Sequence, residues 1–193
     1  ALLSKRLKML SDEGLIVRRK VNGMKGNTYH PTPRCEELKA ILLALGGWGL
    51  RWAQYKLRDA DFNPELLMLY LERSIDVKAI PGRNLVVLFY FEDYAAAPKW
   101  WLVVENEETD VCTTNPGKDV DVYITTSVAT MTNIWLGKTD FATEEREDRF
   151  EIIGSSYFVK NISSWLKKSI FSSIVEANGF LGNTSEKNNS SCL

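Results

Sequence analysis

Ser4, Lys5, Arg6 and Lys8 fall on one short segment, and Arg18, Arg19, Lys20 and Lys25 follow it closely. These residue types suit contact with a polyanion, not bond-making. Lysine and arginine at phosphates supply affinity without sequence choice, whereas an arginine fork can also match a guanine edge. Arg6 is therefore the residue expected to reach a base edge. Arg18, Arg19, Lys20 and Lys25 are expected to hold phosphates. Those seven cations of residues 1–29 face only Asp12 and Glu13, although the whole chain carries a net charge of −1. A basic end on a near-neutral chain is the footprint of a polyanion partner. The plainer alternative is a set of solvated helix and hairpin charges.

Covalent catalysis lacks parts. His30 is the single histidine and sits in the same basic segment, so Ser-His-Asp, Cys-His and histidine-metal arrangements have no partner. Glu144, Glu145, Glu147 and Asp148 form a run, which reads as a solvated face and not as an acid–base pair. No glycine motif for cradling phosphate occurs. No catalytic residue, metal or cofactor is expected, and the chain is read as a non-enzyme. Cys35, Cys112 and Cys192 are far apart and odd in number, which points to a reducing, cytoplasmic setting. The apolar runs stop short of the roughly 18 residues a membrane span needs, so no membrane partner is expected.

The elements that must position the basic residues follow from periodicity. Leu3, Leu7 and Leu10 recur at helical spacing over residues 2–10, and Gly14 stops the helix. Leu15 to Val17 reads as a strand, Asn22 to Asn27 as a glycine-rich turn, and Thr28 to His30 as the returning strand. Thr32 then caps a helix with Pro33 at its first position, running to about residue 57. Leu38, Ile41, Leu42, Leu45, Trp48, Trp52 and Tyr55 stripe that helix, while Leu43, Leu50 and Leu57 lie off the stripe. Apolar residues on more than one side call for more than one neighbour, and a second subunit is the expected one. Gly46, Gly47 and Gly49 allow a close approach or a kink.

A helix, glycine turn and basic hairpin in that order form the back half of a winged helix-turn-helix: recognition helix, then wing. The chain starts at Ala1, inside the expected recognition helix, so this reading is of an N-terminally truncated domain. Residues 58–64 read as a linker and 65–181 as a second domain. Residues 182–193, rich in asparagine and serine, read as a disordered tail. The second domain is expected to have helices at 65–75, 125–136 and 156–168, with a short acidic one between the last two. Its strands are expected at 84–91, 99–105, 109–114, 120–126 and 150–153. Its many large apolar side chains allow either a filled core or a cavity for an apolar ligand. Phe89, Trp101, Trp135, Phe141, Phe158 and Trp165 are the residues expected to line such a cavity.

Residues 3–57 resemble the HxlR-type winged helix-turn-helix regulators of bacteria. The likeness rests on Leu3-Ser4-x-Arg6-Leu7-Lys8-x-Leu10, Gly14-Leu15-Ile16-x-Arg18, Tyr29-x-x-Thr32-Pro33 and Leu42-x-Ala44-Leu45-x-x-Trp48-Gly49. It implies a homodimer, here through helix 33–57, that binds operator DNA in its full-length form. Pro31 and Cys35 depart from the family pattern, and Cys35 is read as a packed residue and not a redox switch. Residues 65–171 resemble the sterol-carrier-protein-type lipid-binding domains. That likeness rests on Trp101 to Glu105, on Asn115-Pro116-Gly117-x-Asp119-Val120-Asp121-Val122-x-Ile124-Thr125, and on Trp135-Leu136-Gly137 through Arg149-Phe150-x-x-x-Gly154. It implies an α+β fold, a mainly antiparallel sheet covered by helices, and an apolar ligand. The favoured expectation is a cytoplasmic regulator with a sensing domain. A non-enzymatic lipid carrier and a filled-core dimerisation module stay open as alternatives.

Overall fold

The computed structural model describes residues 2–20, 26–52 and 62–174. Lys25, residues 53–57 of the expected helix, most of the expected linker and the expected tail lie outside them. The chain divides into two compact units, residues 1–50 and 51–193.

The first unit opens with α1 (Leu2–Asp12). Gly14, at φ +67°, ends it in a left-handed turn. The Gly14 N–H reaches Ser11 O at 3.0 Å and the Leu15 N–H reaches Leu10 O at 2.9 Å, which satisfies the last carbonyls of the helix. The chain leaves as β1 (Ile16–Lys20) and returns as β2 (Asn27–Pro31), antiparallel, with Arg18 opposite Tyr29 and Arg19 opposite Thr28. Thr32 fastens the base of this hairpin. Its Oγ1 donates to Gly14 O at 2.8 Å, and its N–H donates to Leu15 O at 3.0 Å. The same Oγ1 accepts from the Cys35 N–H at 3.3 Å, capping α2 (Pro33–Trp52). The cap expected at Thr32 is thus present. The helix runs unbroken through Gly46, Gly47 and Gly49, so the glycines do not interrupt it.

The second unit is a five-stranded sheet in the order β5-β4-β3-β6-β7. Its strands are β3 (Leu85–Phe91), β4 (Lys99–Glu105), β5 (Glu108–Cys112), β6 (Val122–Thr126) and β7 (Phe150–Gly154). Among these strands only β3 and β6 pair in parallel; the other neighbours are antiparallel. β3 is central and buried on both faces for most of its length, as its Leu-Val-Val-Leu-Phe run suggests. One face carries Leu85, Val87, Phe89 and Phe91 with Trp100, Leu102, Val122 and Ile124. This face forms the main core with helix residues Leu67, Met68, Leu71, Met131, Ile134 and Trp165. The other face carries a smaller cluster of Val86, Trp101 and Val103. Asn106 and Glu107 join β4 to β5, both with positive φ, the two-residue turn that suits a twisted hairpin.

The three longer helices of this unit start at side-chain caps. Asn63 Oδ1 accepts from the Leu66 N–H at 2.8 Å and Pro64 opens α3 (Pro64–Arg73). Ser127 Oγ accepts from the Thr130 N–H at the start of α4 (Val128–Leu136), where the Asp93 carboxylate also accepts from the Val128 N–H. Gly137, at φ +78°, ends α4. Asp140 caps α5 (Phe141–Arg146). The single helix expected at 156–168 is instead two short ones, α6 (Ser156–Lys160) and α7 (Ile162–Trp165). Backbone pairing with residues 74–76 ends the second of them. Trp165 O accepts from the Asp76 N–H at 2.8 Å, and the Lys167 N–H reaches Ser74 O at 2.9 Å. Leu166 bridges to Ile75 as extended chain, so the helix must stop there.

The motif at 115–125 is structural. Asn115 Oδ1 accepts from the Gly117 N–H at 2.8 Å, closing a turn in which Gly117 has φ +70°. Asp121 then joins two strands. Its Oδ2 accepts from the Val86 N–H at 2.8 Å, and its carbonyl accepts from the Ser155 N–H at 3.1 Å.

Candidate functional site

In the first unit Ser4, Lys5, Arg6 and Lys8 are all exposed on α1, and Arg18 and Arg19 are exposed on the wing. A period of 3.6 residues per turn brings Ser4, Lys5 and Lys8 within one arc of about 100°. Arg6 lies about 100° beyond Lys5 on the same count, next to the apolar side of Leu2 and Leu10. Ser4, Lys5 and Lys8 therefore make one polar face, and Arg6 stands apart from it. On the hairpin, alternation puts Arg18 and Lys20 on one side and Arg19 on the other. The wing presents cations on both sides. Lys25 lies outside the described residues.

The helix and wing are held as one body by backbone-directed bonds. Thr32 grips Gly14 and Leu15, and Arg34 Nη1 donates to Glu13 O at 3.1 Å. These contacts join the end of α1, the root of the wing and the first turn of α2. Sequence reasoning identified Thr32 as a cap but missed Arg34, because its partner is a backbone carbonyl distant in sequence. His30 Nε2 lies 2.9 Å from Thr28 Oγ1 on the wing, in keeping with a wing residue.

α2 presents an uncovered apolar stripe. Ile41, Leu42, Leu45, Trp48 and Trp52 are each 54–63% exposed, and Leu38 is also exposed. These six belong to the set that the spacing placed on one side of the helix; its seventh member, Tyr55, lies outside the described residues.

In the second unit five of the six expected ligand-lining residues belong to or pack against the main core, and the six do not line one cavity. Phe89 and Trp165 are fully buried in the main core, and Phe158 packs edge-on to Trp165 with centroids 6.5 Å apart. Phe141 packs against Phe150 at 5.2 Å. Trp101 points to the opposite face of the sheet, because it stands opposite Leu88 and next to Trp100, which takes the core side. A side-chain period of two makes Trp100 and Trp101 mutually exclusive on one face. Trp135 alone of the six lines a groove of about 280 Å³ between α3 and α4. Phe62, Leu66, Leu67, Tyr70 and Leu136 complete its apolar walls. The Tyr70 and Trp135 rings lie parallel, 4.9 Å apart with 7° between planes. Trp135 Nε1 donates to Ser74 Oγ at 2.8 Å, which fixes the indole. The spacing of Tyr70 and Leu66 on one helix was visible in the sequence, but their meeting with Trp135 is a tertiary event.

A second groove, of about 310 Å³, is polar; Glu92, Glu145, Asp148 and Glu151 line it with Arg149. Among the described residues no group of three His, Cys, Asp or Glu side chains is arranged to hold a metal ion. Among the same residues no helix is long and apolar enough to cross a membrane.

No curated protein matches the chain. Solved structures with a partial likeness include the sec-alkylsulfatase Pisa1 from Pseudomonas sp., at 20% identity and a TM-score of 0.46. That match covers 57% of this chain but only 17% of the alkylsulfatase. Sterol carrier protein domain 2 of Helicoverpa armigera matches at 16% identity and a TM-score of 0.43, over 59% of this chain and 93% of that one. Sterol carrier protein 2 from Yarrowia lipolytica, in its apo form, matches at 17% identity and a TM-score of 0.43, over 60% and 91%. The resemblance read from the head of the sequence is found directly: residues 1–57, comprising α1, the wing hairpin and α2, match the HxlR-like helix-turn-helix family.

Proposed function

We propose that this chain is a non-enzymatic, DNA-binding transcriptional regulator that works in the cytoplasm as a homodimer. The observation that carries the reading is the match of residues 1–57 to the HxlR-like helix-turn-helix family, on a segment whose exposed cations sit on a helix and a hairpin. Lys5, Lys8, Arg18 and Arg19 neutralise phosphates, Ser4 contacts a base edge from the face it shares with Lys5 and Lys8, and Arg6, on the other side of α1, reaches flanking backbone. Lys25 extends the wing's phosphate contacts.

The homodimer forms through α2. Its exposed stripe of Leu, Ile and Trp is too apolar to stay in water on a helix presented by a small unit. A two-fold pairing of the same stripe covers it with an identical surface.

The second unit binds a hydrophobic small molecule. Binding there alters DNA affinity only through a difference in ligand affinity between two arrangements of the dimer. The apolar groove between α3 and α4 favours this reading over a filled-core module. A gel-shift titration of the chain on duplex DNA, with and without an apolar ligand bound to the second unit, tests the coupling. Identical curves at saturating ligand contradict it. A lipid carrier in which the first unit serves only to dimerise is the second reading. It predicts co-purified apolar ligand in native mass spectra and no DNA binding.

A further inference from the structure

We propose that the groove between α3 and α4 is a binding site for an uncharged molecule with a flat aromatic ring system, which extends the Tyr70–Trp135 stack. The proposal deepens the ligand-binding reading of the second unit and rests on it. Four observations carry it.

Among the described residues the walls hold no charged side chain: Phe62, Leu66, Leu67, Tyr70, Trp135 and Leu136 dominate, with Asn63 and Thr132 as the polar members. Those polar members already have partners. Asn63 Oδ1 caps α3 through the Leu66 N–H, Thr132 Oγ1 donates to Val128 O at 2.7 Å, and Trp135 Nε1 is held by Ser74. A charged ligand would lose its hydration and gain little in exchange. The volume, about 280 Å³, lies below the ~300–1,000 Å³ typical of small-molecule pockets, which suits a compact ring system and not a long chain or a sterol.

The aromatic pair is also built in advance. Trp135 is anchored at its indole nitrogen, and Ser74 Oγ in turn donates to Tyr70 O at 2.8 Å, so the serine ties both helices. Yet Leu66 is 49% exposed and Tyr70 37% exposed beside this rigid indole. Offset-stacked or edge-to-face packing on such rings is the contact a flat aromatic offers and an acyl chain does not.

The test uses the full chain, labelled with ¹⁵N, and 2-naphthol as the probe, with palmitate as the comparison. The indole N–H signal of Trp135, assigned through Trp135→Phe, should shift and saturate with 2-naphthol. Leu66→Trp, which fills the groove from a half-exposed position, should weaken that binding at least tenfold while the circular dichroism stays unchanged. Phe62→Ala, which opens one wall, should weaken it as well and serves if the first variant folds poorly. Saturation without movement of the Trp135 signal overturns the proposal, as does full affinity in both variants. If palmitate binds and 2-naphthol does not, this site and its ligand class fail while the ligand-binding reading stands. If neither binds, both fail.

Discussion

Arg149 Nε donates to Glu144 Oε2 at 2.6 Å, across the turn that joins α5 to β7. The carboxylate is buried and the guanidinium half exposed. The same arginine also pairs with Glu147. The hydrogen bond from Arg149 holds the Glu144 carboxyl below its ordinary value of 4.5, against the opposing effect of burial, and a hydrogen bond with Thr139 adds to the lowering. Asp140 is held below 3.8 chiefly by hydrogen bonds from Thr143 at the start of α5.

Both folded-state values lie below the unfolded ones. The stability they contribute is therefore complete above about pH 4.5 and is lost as pH falls through the folded values. Thermal unfolding of the chain should show a midpoint that is flat near neutrality and falls steeply below pH 4.5. Glu144→Gln should cost about 2 kcal/mol at pH 7, since it weakens a charge-assisted bond to a buried group. It should also flatten the acid limb. A variant whose acid limb matches the parent's would show that other groups set it.

Gly154 faces a different constraint. A Cβ on it would stand 2.2 Å from Asp121 O and 2.9 Å from Val122 Cα, at φ +155°. Both neighbours are backbone, and Asp121 is itself tied to Val86 and Ser155, so neither can yield cheaply. Gly154→Ala should destabilise the second unit by about 2 kcal/mol or more, read from urea denaturation. Gly49→Ala is the control, because its Cβ would meet nothing within 4 Å. In a helix that change should be neutral or stabilising by up to about 1 kcal/mol.

The dimer proposal makes a separate claim. Paired Ile41→Asp and Leu45→Asp changes put charge on the exposed stripe of α2 without touching a buried residue. Sedimentation equilibrium should find the parent dimeric at micromolar concentration and the double variant monomeric, with unchanged helicity. A parent that stays monomeric, or a double variant that stays dimeric, removes α2 as the interface.

Local chemistry made much of this fold legible in advance. Gly14 ends a helix, Thr32 and Pro33 start one, and the β3 run reads as a strand buried on both faces. Each of those signals depends on a few adjacent residues. The stop at Leu166 was hidden, because it follows from pairing between Leu166 and Ile75, which are remote in sequence. The placement of the ligand-lining set was hidden for a related reason. Size alone selected Trp101, while strand register decides which of two adjacent tryptophans faces the core. On α1 the residue types were visible, but helical geometry separates Arg6 from Ser4, Lys5 and Lys8.

The central claim is that the basic helix and wing bind DNA. Fluorescence anisotropy of a labelled random-sequence duplex, titrated with the full chain over a range of salt concentrations, tests it most directly. The account predicts binding at low salt that weakens as a power of salt concentration. The slope should fall by about one unit for each of Lys8→Ala, Arg18→Ala and Arg19→Ala, as each phosphate contact is lost. Absence of binding at low salt, or a slope unchanged in the triple variant, would contradict it.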